Sequence, residues 1–132
     1  MKEISKEYDI KINDILSHFG SFTPTYESYD HYYIFEFDDD WVVFIYLQTF
    51  YERSEILYFW VDPKYRNQYY GTKALNDLIL LLKKQGIEEI SLEVNVNNVN
   101  AIKLYQHNSF TIVRTIKNYY KDQDAYLMFR RL

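Results

Sequence analysis

The stretch SEILYFWVDPKYRNQYYGTKALNDLILLLKKQGIEEISLEVNVNNVNAIKLY, residues 54–105, reads as strand, turn, helix, strand, helix. Ser54 to Val61 is dense in aromatic and branched residues, the composition of a pleated, half-buried segment. Asp62-Pro63 ends it, because proline cannot donate to a strand ladder. Ala74, Leu75, Leu78, Ile79, Leu81 and Leu82 then recur at helical spacing up to Gly86, which predicts a helix of about fourteen residues beginning near Thr72. Glu89 to Val94 alternates as a strand, and Asn98, Ala101, Ile102, Leu104 and Tyr105 fit a second, shorter helix. The stretch therefore predicts a βαβ unit followed by a helix.

Working outward, Ile4, Tyr8, Ile12, Ile15, Leu16 and Phe19 predict an amphipathic helix over residues 4–19 that stops at Gly20. Residues 21–30 read as a loop or irregular edge. Tyr32 to Phe37 and Trp41 to Leu47 form an expected hairpin across Asp38-Asp39-Asp40. Phe110 to Ile116 and Ala125 to Phe129 are the last two strands, joined by the polar stretch Lys117 to Asp124. The whole predicts an α/β fold, a mixed and mostly antiparallel sheet flanked by helices with a central βαβ unit. At 132 residues, the expectation is a single domain over 1–132.

Composition narrows the function. The 15 Tyr, 9 Phe and 2 Trp can fill a β-rich core or present amphipathic surface to a ligand. A net charge of −4 argues against an electrostatic grip on nucleic acid, and the basic residues of Lys64 to Lys73 and Lys117 to Arg131 read as solvated faces. The absence of Cys removes thiolate metal sites and cysteine nucleophiles. His18, His31 and His107 are too scattered for a helical metal pair, so no metal is expected. The longest apolar run, Trp41 to Leu47, is far short of a membrane span, and no secretory signal is read at the start, so the expected location is the cytoplasm and no membrane partner is expected. Aromatic surface and a terminal strand are compatible with a homodimer.

Val61-Asp62-Pro63-x-Tyr65-Arg66, Gly71, then Leu92-Glu93-Val94, Asn98, Ala101-Ile102-x-Leu104-Tyr105 and Phe110 together resemble the GNAT (Gcn5-related N-acetyltransferase) superfamily. Asn118-Tyr119-Tyr120 followed by Asp124-Ala125-Tyr126 is similar to the ending of the branch that acetylates protein N-termini, typified by the ribosomal-protein-alanine N-acetyltransferases. The resemblance runs from about residue 55 to the end. It implies a GNAT fold and an acetyl-CoA-dependent N-acetyltransferase whose acceptor is a primary amine, on a peptide, a protein N-terminus or a small molecule.

It also implies roles. Arg66, Asn67, Gln68, Tyr69, Tyr70, Gly71 and Thr72 would form the loop that holds the phosphates of coenzyme A, using backbone N–H groups and the start of the following helix. Phe59, Trp60 and Val61 would supply backbone groups to the pantetheine arm, and Asn98 would touch the same arm while capping its own helix. Tyr105 matches the tyrosine that protonates the departing thiolate, although a Leu-Tyr pair late in an amphipathic helix also packs a core. Glu93, twelve residues earlier, matches the glutamate base. It reads equally as an outward-facing strand carboxylate, and Glu55 is the alternative base. Tyr119 and Tyr120 match substrate-binding tyrosines.

Three positions depart from the family pattern, two of them beside the expected groove. Tyr69 stands where the loop's first glycine is usual, and Trp60 stands where a small residue is common and would narrow the acetyl slot. With Ser109 for a glycine before Phe110, these features motivate an alternative, a non-catalytic binding module of the same fold that engages a protein partner.

Overall fold

A computed structural model describes residues 1–20 and 23–132; residues 21 and 22, the first two of the expected loop, lie outside the described residues. Seven strands form one sheet: β1 (Lys2–Ile4), β2 (Asp30–Phe37), β3 (Asp40–Phe50), β4 (Arg53–Val61), β5 (Glu89–Asn95), β6 (Thr111–Tyr120) and β7 (Gln123–Arg131). Three α-helices join them: α1 (Asp9–Leu16), α2 (Tyr70–Lys84) and α3 (Val99–His107). The sheet order is β1-β2-β3-β4-β5-β7-β6, and β4–β5 is the parallel pair within an otherwise antiparallel ladder. The βαβ unit is thus β4–α2–β5.

Both faces of the middle of the sheet are covered. Val43, Ile45 and Leu47 of β3 pack with Ala74, Leu75, Leu78 and Leu82 of α2. Phe44 and Tyr46 turn the other way, onto Ile12, Ile15 and Leu16 of α1. That double burial explains the unbroken apolar run from Trp41 to Leu47, since a central strand with two covered faces has no polar side to show. Much of the aromatic excess is spent here: Tyr32 and Tyr46 stack at 4.5 Å between centroids, each 1% exposed. Their neighbour Asp30 accepts from the Tyr46 hydroxyl (2.5 Å), the Thr25 hydroxyl (2.7 Å), the Glu27 N–H (3.0 Å) and the Gln48 amide (3.1 Å), which ties the segment before β2 to the sheet.

The N-terminus differs from expectation. The predicted helix over 4–19 is instead a short edge strand, a 3-10 turn at Lys6–Tyr8, the eight-residue α1, and a second 3-10 turn at Ser17–Phe19, closing at Gly20 with φ 113°. Ile4 sits four residues before Tyr8 and so mimics a helical stripe, but it pairs with Tyr32 on β2 and is buried there. A three-residue strand is too short to display alternation.

The closing hairpin is also longer than expected. Lys117 to Tyr120 belongs to β6, the turn is only Lys121-Asp122, and Tyr120 pairs with Gln123. Strand β6 is the sheet edge and largely exposed, so it lacks the buried side that writes a period-two pattern into a sequence.

Candidate functional site

The parallel pairing of β4 with β5 stops at Ile56↔Leu92. At the same place Tyr46 pairs with Tyr58 while Leu47 pairs with Ile56, which leaves Leu57 as the extra residue of a β-bulge. A bulge bends its strand and sharpens the local twist, so beyond Leu57 strand β4 parts from β5. The gap is a cavity of about 490 Å³ whose lining includes Phe59, Glu93, Asn98, Tyr105, Tyr119 and Tyr120. Strand alternation assigns the backbone that faces it. The Asp62 N–H donates to the Val42 carbonyl of β3 at 2.9 Å. By the two-residue period, the amide groups of Val61 and Phe59 then point away from β3, into the gap.

The loop after β4 delivers the next helix to the mouth of that gap. Asp62 caps the turn by accepting from the Lys64 N–H at 2.9 Å, and the Arg66 Nε donates to the Val61 carbonyl at 2.9 Å. Asn67 (φ 62°) and Tyr69 (φ 67°) both adopt the left-handed conformation, and Tyr69 is the N-cap of α2. Helix α2 therefore starts at Tyr70, two residues earlier than predicted. The first intrahelical donor is Lys73, whose N–H reaches the Tyr69 carbonyl at 3.1 Å, so the N–H groups of Tyr70, Gly71 and Thr72 precede the helical ladder. With the positive end of the helix dipole they make a ready anion cradle. Gly71 places this turn close to the strand: a Cβ built there would lie 3.6 Å from Phe59, Val61 and Leu104.

Neither of the two departures beside the groove obstructs the gap. Tyr69 takes the left-handed backbone that a glycine would take and turns its ring outward, 81% exposed. Trp60 corrects the sequence expectation. Its indole packs with the core on the α1 side and stacks near His18 at 6.4 Å, while Phe59 and Val61 face the α2 side. A side chain on the opposite face cannot narrow the slot; only the Trp60 backbone lies near it.

The groove joins side chains from both faces of the sheet. Leu92 and Val94 are buried with α2 and α3, so Glu93 between them points to the other face. The Tyr119 hydroxyl hydrogen-bonds to the Glu93 carboxylate, and that bond, together with burial, raises the Tyr119 pKa. Tyr120 meets Tyr119 edge-on at 4.7 Å. From the α3 side comes Tyr105, 6% exposed, with its ring against Phe59 (6.0 Å) and Phe110 (5.6 Å). Burial, and to a lesser degree the charge of an ionised Tyr120, raise its pKa, so Tyr105 keeps its proton. No described residue hydrogen-bonds its hydroxyl. Asn98 performs the cap read from sequence, accepting from the Ala101 N–H at 3.2 Å, and also lines the groove.

The structure thus gathers Phe59, Glu93, Asn98, Tyr105, Tyr119 and Tyr120 on one groove and sets the Arg66–Thr72 loop at its α2 end. Glu55, read as the alternative base, lines the groove too, and burial and then the Glu93 charge raise its pKa. Sequence reasoning missed Phe19 and Tyr58, whose rings meet at 4.8 Å along the same wall. Tyr58 faces this way because of the bulge, which no local pattern announces.

Comparison with known proteins agrees with this geometry. The model of the acetyltransferase (GNAT) family matches residues 4–110. The [ribosomal protein bS18]-alanine N-acetyltransferase of Haemophilus ducreyi is 35% identical over 87 residues, 66% of this chain and 60% of that protein. The N-alpha-acetyltransferase 50 of Danio rerio is 39% identical over 72 residues, 52% of this chain and 43% of that protein. The matched regions thus span about half of these relatives' lengths. Among solved structures, the ribosomal-protein-S18-alanine N-acetyltransferase of Escherichia coli superposes with a TM-score of 0.87 at 22% identity, covering 98% of this chain and 91% of that one. Arabidopsis thaliana Naa50 in complex with a bisubstrate analogue, CoA-Ac-MVNAL, superposes at 0.79 and 22% identity, covering 99% and 98%.

Proposed function

Since the chain belongs to the GNAT acetyltransferase family, we propose that it is an acetyl-CoA-dependent N-acetyltransferase whose acceptor is a primary amine at a peptide or protein N-terminus. The observation that carries this reading is the gap between β4 and β5, which opens on Tyr105 from one face of the sheet and on Glu93 from the other. The fit to the co-substrate rests on the N–H groups of Phe59 and Val61 that point away from β3, the unladdered N–H groups at the start of α2, and the absence of any described side chain plugging the space between them. Asn98 and Arg66 add polar groups at the two ends.

Acetyl-CoA supplies an acetyl group on a thioester, a carbonyl open to attack by an amine. The residues of this chain then have defined tasks. Phe59 and Val61 offer backbone donors along the strand edge, positioned before the reaction starts and therefore effective against developing negative charge. Glu93 receives the proton that the attacking amine must shed, directly or through a water. An α-amino group has a pKa of about 7.7–8.0, so roughly a tenth is already free at pH 7 and the demand on the base is modest. Tyr105, protonated and without a competing partner, donates to the sulfur as the C–S bond breaks. Tyr119 and Tyr120 wall the amine side, and Tyr119 holds the Glu93 carboxylate in place.

The test is incubation of the protein with acetyl-CoA and a panel of peptides that differ at the first two residues. Release of free thiol, with mass spectrometry placing the acetyl group on the α-amine, is the expected result. Silence across the panel, or acetylation only of side-chain amines, would reject the assignment.

A further inference from the structure

The loop that leads into α2 holds a backbone its own residues do not favour. Asn67 and Tyr69 both have positive φ, 62° and 67°, where a side chain with a Cβ is disfavoured. Such backbone persists only where the surroundings fix it. The fixing contacts lie on either side of these two residues and converge on the β2–β3 hairpin. On the near side, the Tyr65 hydroxyl donates to the Asp40 carboxylate at 2.5 Å, and the Lys64 Nζ lies 3.5 Å from the same carboxylate. On the far side, the Tyr70 ring meets Tyr65 edge-on at 5.5 Å, Phe37 at 5.9 Å and Phe35 at 6.2 Å. Phe37 also meets Tyr65 at 6.4 Å, so one hairpin ring bridges both anchors. Asp38 and Asp39, both at positive φ, make the hairpin turn, and Phe37 pairs with Asp40 across it. Among the described residues, the other hydrogen-bond acceptors for residues 63–69 are Val61, Asp62, Pro63 and Lys64. Asp40 is therefore the acceptor that ties this loop to a distant part of the chain.

We propose that Asp40 is a positioning residue for the co-substrate, holding the Arg66–Thr72 loop through Tyr65 and Lys64 in the shape that aims its N–H groups at the phosphates of coenzyme A. This rests on the acetyltransferase reading above and adds a residue that neither lines the groove nor belongs to the family motif. The ring contacts among Phe37, Tyr65 and Tyr70 are apolar and tolerate sliding, whereas a charged acceptor fixes the direction of the hydroxyl it receives. Lys64 is engaged by the same carboxylate, so this cation of the loop serves the brace and leaves the phosphates to the backbone donors. Donors already ordered cost less to bind with, so a loosened loop appears as weaker binding and not as slower chemistry.

Calorimetric titration with coenzyme A, beside hydrogen–deuterium exchange of the free protein, makes the test. Asp40→Ala should weaken binding about tenfold, and Tyr65→Phe, which keeps the ring contacts and loses the donor, about threefold or more. Asp40→Asn keeps an acceptor for the Tyr65 hydroxyl and should fall between wild type and Asp40→Ala. In steady state the KM for acetyl-CoA should rise by a similar factor, while kcat at saturation stays within about twofold. Exchange in Asp40→Ala should accelerate over residues 66–72 and stay unchanged in β3 and β5, a pattern that general destabilisation does not give. An affinity within about twofold of wild type in folded Asp40→Ala would overturn the inference, as would acceleration spread through the whole sheet. Failure of the two readings is distinguishable. Wild-type protein that binds no coenzyme A rejects the co-substrate reading, and exchange then decides the brace: acceleration confined to residues 66–72 supports it, and an unchanged loop overturns it.

Discussion

Replacing Tyr105 by Phe removes a single oxygen from the wall of the groove. The ring stays, and with it the edge contact to Phe59 at 6.0 Å and the tilted contact to Phe110 at 5.6 Å. Because no described residue hydrogen-bonds the hydroxyl, deletion breaks no protein hydrogen bond, and the stability change should stay within about 1 kcal/mol. For a domain of this size that is a shift of roughly 3–5 °C in Tm. Loss of a general acid typically lowers rate by about 10²–10⁴, so kcat should fall at least about 100-fold, or 2.7 kcal/mol in activation free energy. The pH profile adds a second constraint. Burial raises the Tyr105 pKa, so wild-type kcat/KM should climb through the amine pKa near about 8 and show no fall from Tyr105 ionisation before about pH 10. Thiol release at saturating co-substrate, beside a thermal melt of both proteins, makes the measurement. An unchanged kcat in folded Tyr105→Phe would refute the acid role, and a melt lowered by more than 10 °C would show that the hydroxyl is structural.

Other positions test other links. Glu93→Gln should lower kcat/KM about 10- to 100-fold near pH 7, and the deficit should shrink towards pH 9 as the amine deprotonates unaided; a deficit constant with pH would argue against a base. Tyr69→Gly relieves a left-handed backbone that costs a non-glycine residue about 1–2 kcal/mol, so it should be neutral to stabilising in urea melts, whereas Tyr69→Ala should gain nothing; equal behaviour of the two would show that φ is not the issue. Asp30→Ala strands the donors of Tyr46, Thr25, Gln48 and Glu27 and should destabilise by about 2–4 kcal/mol by denaturant titration. Burial pushes the Asp30 pKa up, but those hydrogen bonds outweigh it and hold the folded value below the usual carboxylate range. The ionised group therefore supports the fold above about pH 4, and its contribution should fade as pH drops through the folded pKa, a fade that Asp30→Asn should lack.

Much of this was legible in the sequence because it follows from local periodicity. The switch from strand to helix between Val61 and Ala74 is written in residue spacing, and so is the cap at Asn98, which the structure realises as a hydrogen bond to the Ala101 N–H. The twelve-residue interval from Glu93 to Tyr105 carries the resemblance that placed both on one groove. What escaped depends on partners distant in the chain. Ile4 looks helical beside Tyr8 and becomes a strand only because β2 offers it a ladder at Tyr32. The end of β6 reads as a polar loop because its strand has no buried face. Trp60 reads as obstructive from its position in the motif alone, whereas the two-residue period set by its buried neighbours sends its indole to the α1 core. The bulge at Leu57 opens the gap and turns Tyr58 into its wall, and a register shift between strands leaves no mark on a single segment.

If the chain is an acetyltransferase of the kind proposed, the opening between β4 and β5, with the start of α2 at its end, holds acetyl-CoA. Calorimetric titration of the protein with acetyl-CoA measures this without any choice of acceptor. The predicted result is one site per chain with Kd between about 1 µM and 1 mM, weakened when a large side chain replaces Gly71 against Phe59 and Leu104. No heat and no thermal shift at millimolar acetyl-CoA, with the protein folded, would contradict it.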